Sequence, residues 1–260
     1  MRSRFTKCAL FLLLVLSVVL PVSGLRVDGA ILTANVAPGE HIRHEMTVKI
    51  GENEQAIDAK AEILGFGTNI NGGNDYVVPD NDTSPYSARD FFKIEPVSFR
   101  LEPGVPIQIT LEGDVPKDVG SGGRYAMVNI HTAPQGNGTV GFATAILVPI
   151  YLTINGTDLV KTGKITGLNI SNDSVLSMYF ENTGNYHYGV SAEVLLKNNG
   201  DNIAKNLSSQ KGTSLPTVLY PFKILLNPEG DLEPGTYTVE ARVLLKDGTV
   251  LDSKETTFTV

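Results

Sequence analysis

The sequence predicts an all-β chain of two tandem Ig-like β-sandwiches behind an N-terminal signal peptide. Three observations carry this. The phrase Leu-Glu-Pro-Gly occurs twice, at Leu101–Gly104 and Leu232–Gly235, and each copy opens a strand-like run, Val105–Leu111 and Thr236–Leu245. Apolar and polar residues alternate with period two along most of the chain, with turn residues between the runs. No stretch of useful length shows the 3.6-residue apolar period of an amphipathic helix.

Residues 1–24 read as an export signal. Arg2, Arg4 and Lys7 form a positive n-region, Ala9 to Leu20 is apolar, and Val22-Ser23-Gly24 places small residues at a cleavage site. The apolar run is short for a bilayer span, and no second segment reaches spanning length. The single cysteine, Cys8, lies in this signal, so the mature chain is expected to be cysteine-free. Exported eukaryotic sandwiches usually carry disulfides, which tilts the reading toward a prokaryotic envelope. The ending Thr257-Phe258-Thr259-Val260 reads as a final strand with no wall or lipid anchor. Net charge is −7 and becomes more negative once the signal cations leave. With no basic cluster, nucleic acid is a poor partner.

The first sandwich is expected over residues 25–155. Met46, Val48 and Ile50 share a strand face, as do Ile57, Ala59, Ala61 and Ile63, then Val105 to Leu111, then Ala126, Val128 and Ile130. Val140 to Ile154 alternates longest, and Pro149 within it demands an edge or a bulge. Residues 156–163 form a short linker, which limits the angles open to the two units. The second sandwich, 164–260, has runs at Val175–Phe180, Val190–Leu196, Val218–Leu226 and Tyr237–Leu245, and a closing strand from Val250. Asp247-Gly248 marks its last hairpin. Between strand signals, Thr68 to Asp90 is rich in Asn, Gly, Asp, Ser and Pro, a length that suits a functional or mobile loop.

Few residues suggest chemistry. His41 and His44 precede a strand, where a spacing of three faces opposite sides, so they read as surface histidines beside Glu45. His131 and His187 have no partner evident from sequence. Asp75, Asp80 and Asp82 crowd one loop and are the candidate calcium ligands, though the EF-hand pattern is missing. Gly120-Ser121-Gly122-Gly123 lacks the Lys-Ser/Thr of a phosphate loop and reads as a flexible hairpin. No Gly-x-Ser-x-Gly elbow occurs, and the chain is not expected to be an enzyme. Asn81, Asn137, Asn155, Asn169, Asn172 and Asn206 each begin a glycosylation sequon. An edge strand over Val140–Ile154 could offer backbone bonds and side-chain pegs to another protein, with Val140, Phe142, Ile146, Val148 and Ile150 as the pegs.

Ile94-Glu95-Pro96-Val97-Ser98-Phe99, then Leu101–Gly104, then Gly123-Arg124-Tyr125-Ala126 leading into the long strand, resembles the first domain of periplasmic pilus-chaperone-type proteins. It is also similar to the N-terminal domain of Gram-positive surface proteins that bind WxL-domain partners and peptidoglycan, where a loop such as Thr68-Asn69-Ile70-Asn71-Gly72-Gly73 is common. Phe180-Glu181-Asn182-Thr183-Gly184-Asn185-Tyr186-His187 resembles Ig-like second domains of prokaryotic envelope proteins, its Asn-Thr-Gly-Asn phrase reading as a tight connection between strands with Gly184 free to take positive φ. The chaperone resemblance implies basic residues in the interdomain cleft that hold a client's carboxyl terminus. Arg26, Arg43, Arg124 and Lys164 are available, and none matches the motif residue for residue.

The sequence therefore points to an extracytoplasmic, secreted or surface-associated, non-enzymatic protein that works by protein–protein contact, as an assembly chaperone or surface adaptor. Two alternatives stand beside it: a carbohydrate or cell-wall glycan binding module assisted by calcium, and a structural surface-layer component.

Overall fold

A computed structural model of the chain describes residues 24–68, 73–133, 143–199, 201–209 and 211–260. The expected signal peptide lies outside the described residues except for Gly24. The first sandwich contains β1 (Arg26–Asp28), β2 (Leu32–Val36), β3 (His41–Lys49), β4 (Ile57–Thr68), β5 (Asn74–Val77), β6 (Phe92–Glu95), β7 (Ser98–Leu101), β8 (Ile107–Asp114), β9 (Gly122–Thr132) and β10 (Ala145–Ile154). One sheet runs β1-β3-β8-β6; the facing sheet runs β2-β10-β9-β4-β5, with β7 also on β4. The chain crosses between sheets early: β1 pairs antiparallel with β3, and β2 pairs parallel with β10.

The second sandwich contains β11 (Gly163–Ile170), β12 (Val175–Asn182), β13 (Tyr188–Lys197), β14 (Ile203–Ser208), β15 (Gly212–Ser214), β16 (Leu219–Leu225), β17 (Thr236–Leu245) and β18 (Val250–Thr259). Its sheets run β11-β12-β16 and β14-β13-β17-β18, with β15 also on β13. The chain is thus two Ig-like sandwiches in series, joined through residues 155–162.

Alternation explains the layers. Inward residues of facing strands meet in one core per sandwich: Met46, Val48, Ile109, Leu111, Val128 and Ile130 are fully buried in the first, and Leu176, Phe180, Val194, Leu196, Val239 and Val243 in the second. The Asp247-Gly248 hairpin forms as expected: Gly248 takes φ +86 and donates to the Leu245 carbonyl. Tyr237 makes a tyrosine corner, its hydroxyl donating to the Glu233 carbonyl four residues back at 2.8 Å.

The two Leu-Glu-Pro-Gly copies occupy non-equivalent places. The first leads to β8, between β3 and β6. The second leads to β17, between β13 and β18, whose counterpart in the first sandwich is β9 between β4 and β10. The phrase marks a turn before a strand in each unit, and the units are one strand out of step.

Candidate functional site: a half-open strand edge and the interdomain junction

β10 is bonded to β9 along its whole length, from Ala145 opposite His131 to Ile154 opposite Gly122. Its other edge is covered by β2 only from Ile150 to Ile154. Two bonds fix which way each backbone group points. The Thr132 N–H donates to the Thr144 carbonyl at 2.9 Å, so even-numbered residues face β9. The Asn155 N–H donates to the Val36 carbonyl at 2.8 Å, so odd-numbered residues face β2. Ala145 and Leu147 therefore turn their N–H and C=O toward the edge that β2 leaves uncovered. Pro149 is also odd, so its missing donor costs the β9 ladder nothing and ends the open stretch where β2 begins. Carrying the β2 register back one residue puts Ile31, 64% exposed, opposite Pro149.

This revises the expected binding pegs. Val148 and Ile150 are 1% and 0% exposed and lie in the core with Leu152 and Ile154. They face inward because even-numbered side chains of β10 point between the sheets. Ile146 is partly buried against the same core. Val140 and Phe142 lie outside the described residues, as does the first part of the expected strand. The expected edge strand is thus an edge only over Ala145–Pro149, and its accessible side chains there are Ala145, Ile146 and Leu147.

The acidic loop does not gather its carboxylates. Asp75 lies on β5 and accepts from the Tyr76 N–H. Asp80 is exposed in a 3-10 turn, Pro79–Asn81. The Asp82 side chain is 3% exposed, accepts from the Ser87 hydroxyl at 2.5 Å, and lies 3.7 Å from the Arg89 guanidinium. Gly65 permits this approach, since a Cβ there would sit 2.6 Å from the Asp82 carboxyl carbon. Among the described residues no group of three potential metal-ligating side chains converges. Asp75, Asp80 and Asp82 do not form the expected calcium site; Asp82 pins the loop to β4 instead. The described part of the Thr68–Asp90 segment is ordered by β5 and by two 3-10 turns.

The second feature is the junction. Gly122 and Gly123 are not a flexible hairpin but the first residues of β9. Gly122 sits at φ +124, and a Cβ there would lie 2.4 Å from the Asn185 carbonyl oxygen. A Cβ on Gly123 would lie 1.8 Å from the Tyr125 hydroxyl. The Gly123 N–H donates to the Asn185 carbonyl at 2.8 Å, bonding the sandwiches directly. Gly184 is absent from the positive-φ residues; glycine is required there because a Cβ would meet the Val160 carbonyl at 2.1 Å. The Asn182–Asn185 phrase grips the linker: Asn185 accepts from the Val160 N–H and donates to the Asp158 carbonyl, and Asn182 accepts from the Gly184 N–H.

Around this contact the rings interlock. His187 lies 5.6 Å from Tyr125 and 5.3 Å from Tyr151, and Tyr151 lies 5.4 Å from Phe66. Burial pushes the Tyr125 hydroxyl well above its usual range; it lies against the His187 backbone amide without a well-formed hydrogen bond. Burial lowers the His187 pKa, and its Nδ1 is buried without a partner. A gap of about 30 Å³ remains between Phe66, Tyr86 and Leu215. Sequence reading missed this cluster, because Tyr125 and Tyr151 sit on the non-core face and their partner lies in the other unit.

Of the four basic candidates, Arg43 is paired with Glu45 and Glu112, and Lys164 with Glu181. Arg26 is on β1, opposite Lys49. Arg124 alone reaches the junction side. It donates to the Gly120 and Gly123 carbonyls and lies 5.9 Å over the Tyr86 ring, with burial lowering its pKa. His41 bridges Glu112 and Asp114, and His131 lies 3.6 Å from Glu62, so both rings lie against carboxylates of their own sandwich. No helix among the described residues is long and apolar enough to cross a membrane.

No protein family and no curated protein matches the chain. Solved structures do. The CupB2 chaperone of Pseudomonas aeruginosa is 14% identical, with 90% of this chain and 100% of that chain covered and a TM-score of 0.44. The SafB chaperone of Salmonella enterica, solved with the SafA pilin, is 12% identical over 91% and 96%, with a TM-score of 0.40. A family 123 glycoside hydrolase of Clostridium perfringens is 7% identical over 51% of this chain and 27% of its own, with a TM-score of 0.34. Likeness at this level assigns neither a family nor a function.

Proposed function

We propose that this protein is an exported, non-enzymatic module that acts through protein–protein contact, as an assembly chaperone or surface adaptor, and that it receives its partner as an extended strand on the free half of β10. The observation that supports this is the uncovered Ala145–Pro149 edge, with outward backbone groups at Ala145 and Leu147 beside exposed Ile31. A guest strand there continues the sheet collinearly with β2. Each backbone bond contributes about 0.5–1.5 kcal/mol net, too little for stable capture from two residues alone. Burial of Ile31, Ile146 and Leu147 against the guest's apolar side chains, at about 25 cal/mol per Å², supplies the rest.

Proline substitution tests the edge without touching the core. Ala145→Pro and Leu147→Pro remove outward donors, as Pro149 already does, and leave the hydrogen bonds to β9 intact; Leu147→Pro also removes one apolar contact. Ile146→Pro removes a donor that faces β9 and is expected to destabilise the sandwich by about 1–3 kcal/mol. Tagged protein is cross-linked in intact cells and its companions identified by mass spectrometry. The expected result is one dominant exported protein at near-equal amount, lost with Leu147→Pro while thermal unfolding is unchanged. Undiminished capture by folded Leu147→Pro sinks the reading.

A further inference from the structure

Six Asn-x-Ser/Thr sequences occur where the chain's Asn, Ser and Thr content gives roughly three by chance. All five in described segments, Asn81, Asn155, Asn169, Asn172 and Asn206, are exposed; Asn137 lies outside the described residues. Among the described residues, the buried asparagines, Asn129 and Asn182, begin no sequon. An acceptor segment must leave its neighbours to enter a transferase, so the five are not equal.

Asn206 lies inside β14, opposite Leu195, and its carboxamide donates to Glu193 at 3.1 Å. Asn169 lies inside β11, opposite Ser177. Asn155 has its N–H bonded to Val36, and its sequon hydroxyl, on Thr157, donates to Asp158. Asn172 differs from these three. It occupies the tip of the β11–β12 hairpin, in a turn closed by the Ser174 N–H on the Ser171 carbonyl. Among the described residues its side chain has no hydrogen-bond partner, and Ser174, which completes the sequon, is held at φ 59 at the turn's end. Asn81 ends an exposed 3-10 turn, but its N–H is bonded to the Val78 carbonyl and the middle residue of its sequon is Asp82, whose buried side chain pins the loop to β4.

We infer that Asn172 carries N-linked oligosaccharide, a reading that rests on export of the chain. The bond formed joins the asparagine Nδ2 to the anomeric carbon of the first sugar. The bond broken is that carbon's link to the phosphate oxygen of a polyprenyl-phosphate-linked oligosaccharide. The lipid phosphate leaves with the electron pair, one carboxamide proton is lost, and nothing is oxidised or reduced. Asn172 lies at a hairpin tip of the second sandwich, so its glycan leaves the β10 edge of the first uncovered.

Intact-mass measurement and peptide mapping of the protein purified from its native cells test this. The expected mass exceeds that of the processed polypeptide by whole sugar residues, with sugar on the Asn172 peptide. Asn172→Gln should lower the mass by one oligosaccharide. A processed polypeptide with no added mass overturns glycosylation while leaving export intact. The mass of the unprocessed 260-residue chain overturns export, and the proposal with it. Sugar on Asn206 or Asn169 with none on Asn172 overturns the choice of sites.

Discussion

β10 and β18 hold the same place in their sandwiches, each last in sequence and antiparallel to the strand before it. Their surfaces are opposite. β10 reads Ala-Ile-Leu-Val-Pro-Ile-Tyr-Leu-Thr-Ile and buries Val148, Pro149 and Ile150 in succession. β18 carries Asp252, Ser253, Lys254 and Glu255 mid-strand, and beyond Leu251 only Phe258 is an apolar residue packed on the core. The seam with the first strand differs too. In the first sandwich β2 pairs with β10 through backbone and stops halfway. In the second, the Asp252 carboxylate accepts the Ile165 N–H at 2.6 Å, so a side chain closes the seam. The edge strand β16 is blunted by Pro221 and Lys223 on its outward-facing parity, set by the Leu226 N–H on the Ser174 carbonyl. Among the described residues, β16 and β18 are blunted against pairing, whereas five residues of the apolar strand β10 are left open.

The largest test of this contrast puts one charge in each last strand. Val148→Asp buries an unpaired carboxylate between the sheets and should cost about 4–5 kcal/mol or more, unfolding the first sandwich. Thr257→Asp, exposed on β18, should stay within about 0.5 kcal/mol. Urea unfolding followed by circular dichroism measures both. A folded Val148→Asp variant would mean that β10 turns its even-numbered residues outward and would restore them as pegs.

Sandwich class, strand positions and the Asp247-Gly248 hairpin were legible because they are local: alternation and turn chemistry act within about ten residues. The facing of β10 was not. Alternation says that Ile146, Val148 and Ile150 share a face, but both faces of this strand carry apolar residues, and only β2, more than a hundred residues earlier, shows which edge is covered. The junction was hidden for the same reason. Gly122 and Gly123 look like loop glycines until Asn185 arrives against them. The aspartates of the 75–82 loop show the reverse error: proximity in sequence suggested a shared ion, whereas Asp82 turns inward to Ser87 and Asp80 to solvent.

Glycines sharpen the comparison next. Gly123→Ala forces a Cβ into the Tyr125 hydroxyl, and Gly122→Ala also strains φ. Each should cost about 1–3 kcal/mol and loosen the docking of the sandwiches. Gly235→Ala, at the matching approach to β17, meets nothing within 4 Å and should be near neutral. Thermal unfolding with small-angle scattering separates lost docking from lost folding. Equal costs at Gly123 and Gly235 would mean that the junction contributes nothing to stability.

Tyr125 and Tyr237 give a smaller contrast. Both lie near the start of the penultimate strand, β9 or β17. Tyr237 points into its own core and bonds back to Glu233. Tyr125 points out of its sandwich into the junction. Tyr237→Phe should lose about 1 kcal/mol with the corner bond. Tyr125→Phe keeps the ring contacts, gives up no well-formed bond, and should stay within about 0.5 kcal/mol. The reverse ranking would show that the Tyr125 hydroxyl is bonded across the junction in solution.

The smallest effect is with pH, and two histidines pull it in opposite directions. His41 is exposed, and its hydrogen bond to Asp114 raises its pKa, so its contribution is present below the unfolded value of about 6.5 and fades as pH rises. His187 is buried and its pKa is lowered, so the folded chain holds it neutral. From the first sandwich Tyr125 and Tyr151 face it; Lys161 of the linker and Tyr186, Tyr188, Lys246 and Asp247 of the second sandwich line the adjoining cavity. Its Nδ1 accepts nothing and meets no carboxylate. The unfolded chain therefore takes up a proton that the docked chain refuses, and stability falls as pH drops below about 6.5. His187→Phe keeps a ring between Tyr125 and Tyr151 and removes the titration. Its melting temperature should fall less than that of the wild type between pH 7.5 and 5, with His41 present in both. Parallel curves would show that the His187 ring is open to water and that the junction is not sealed around it.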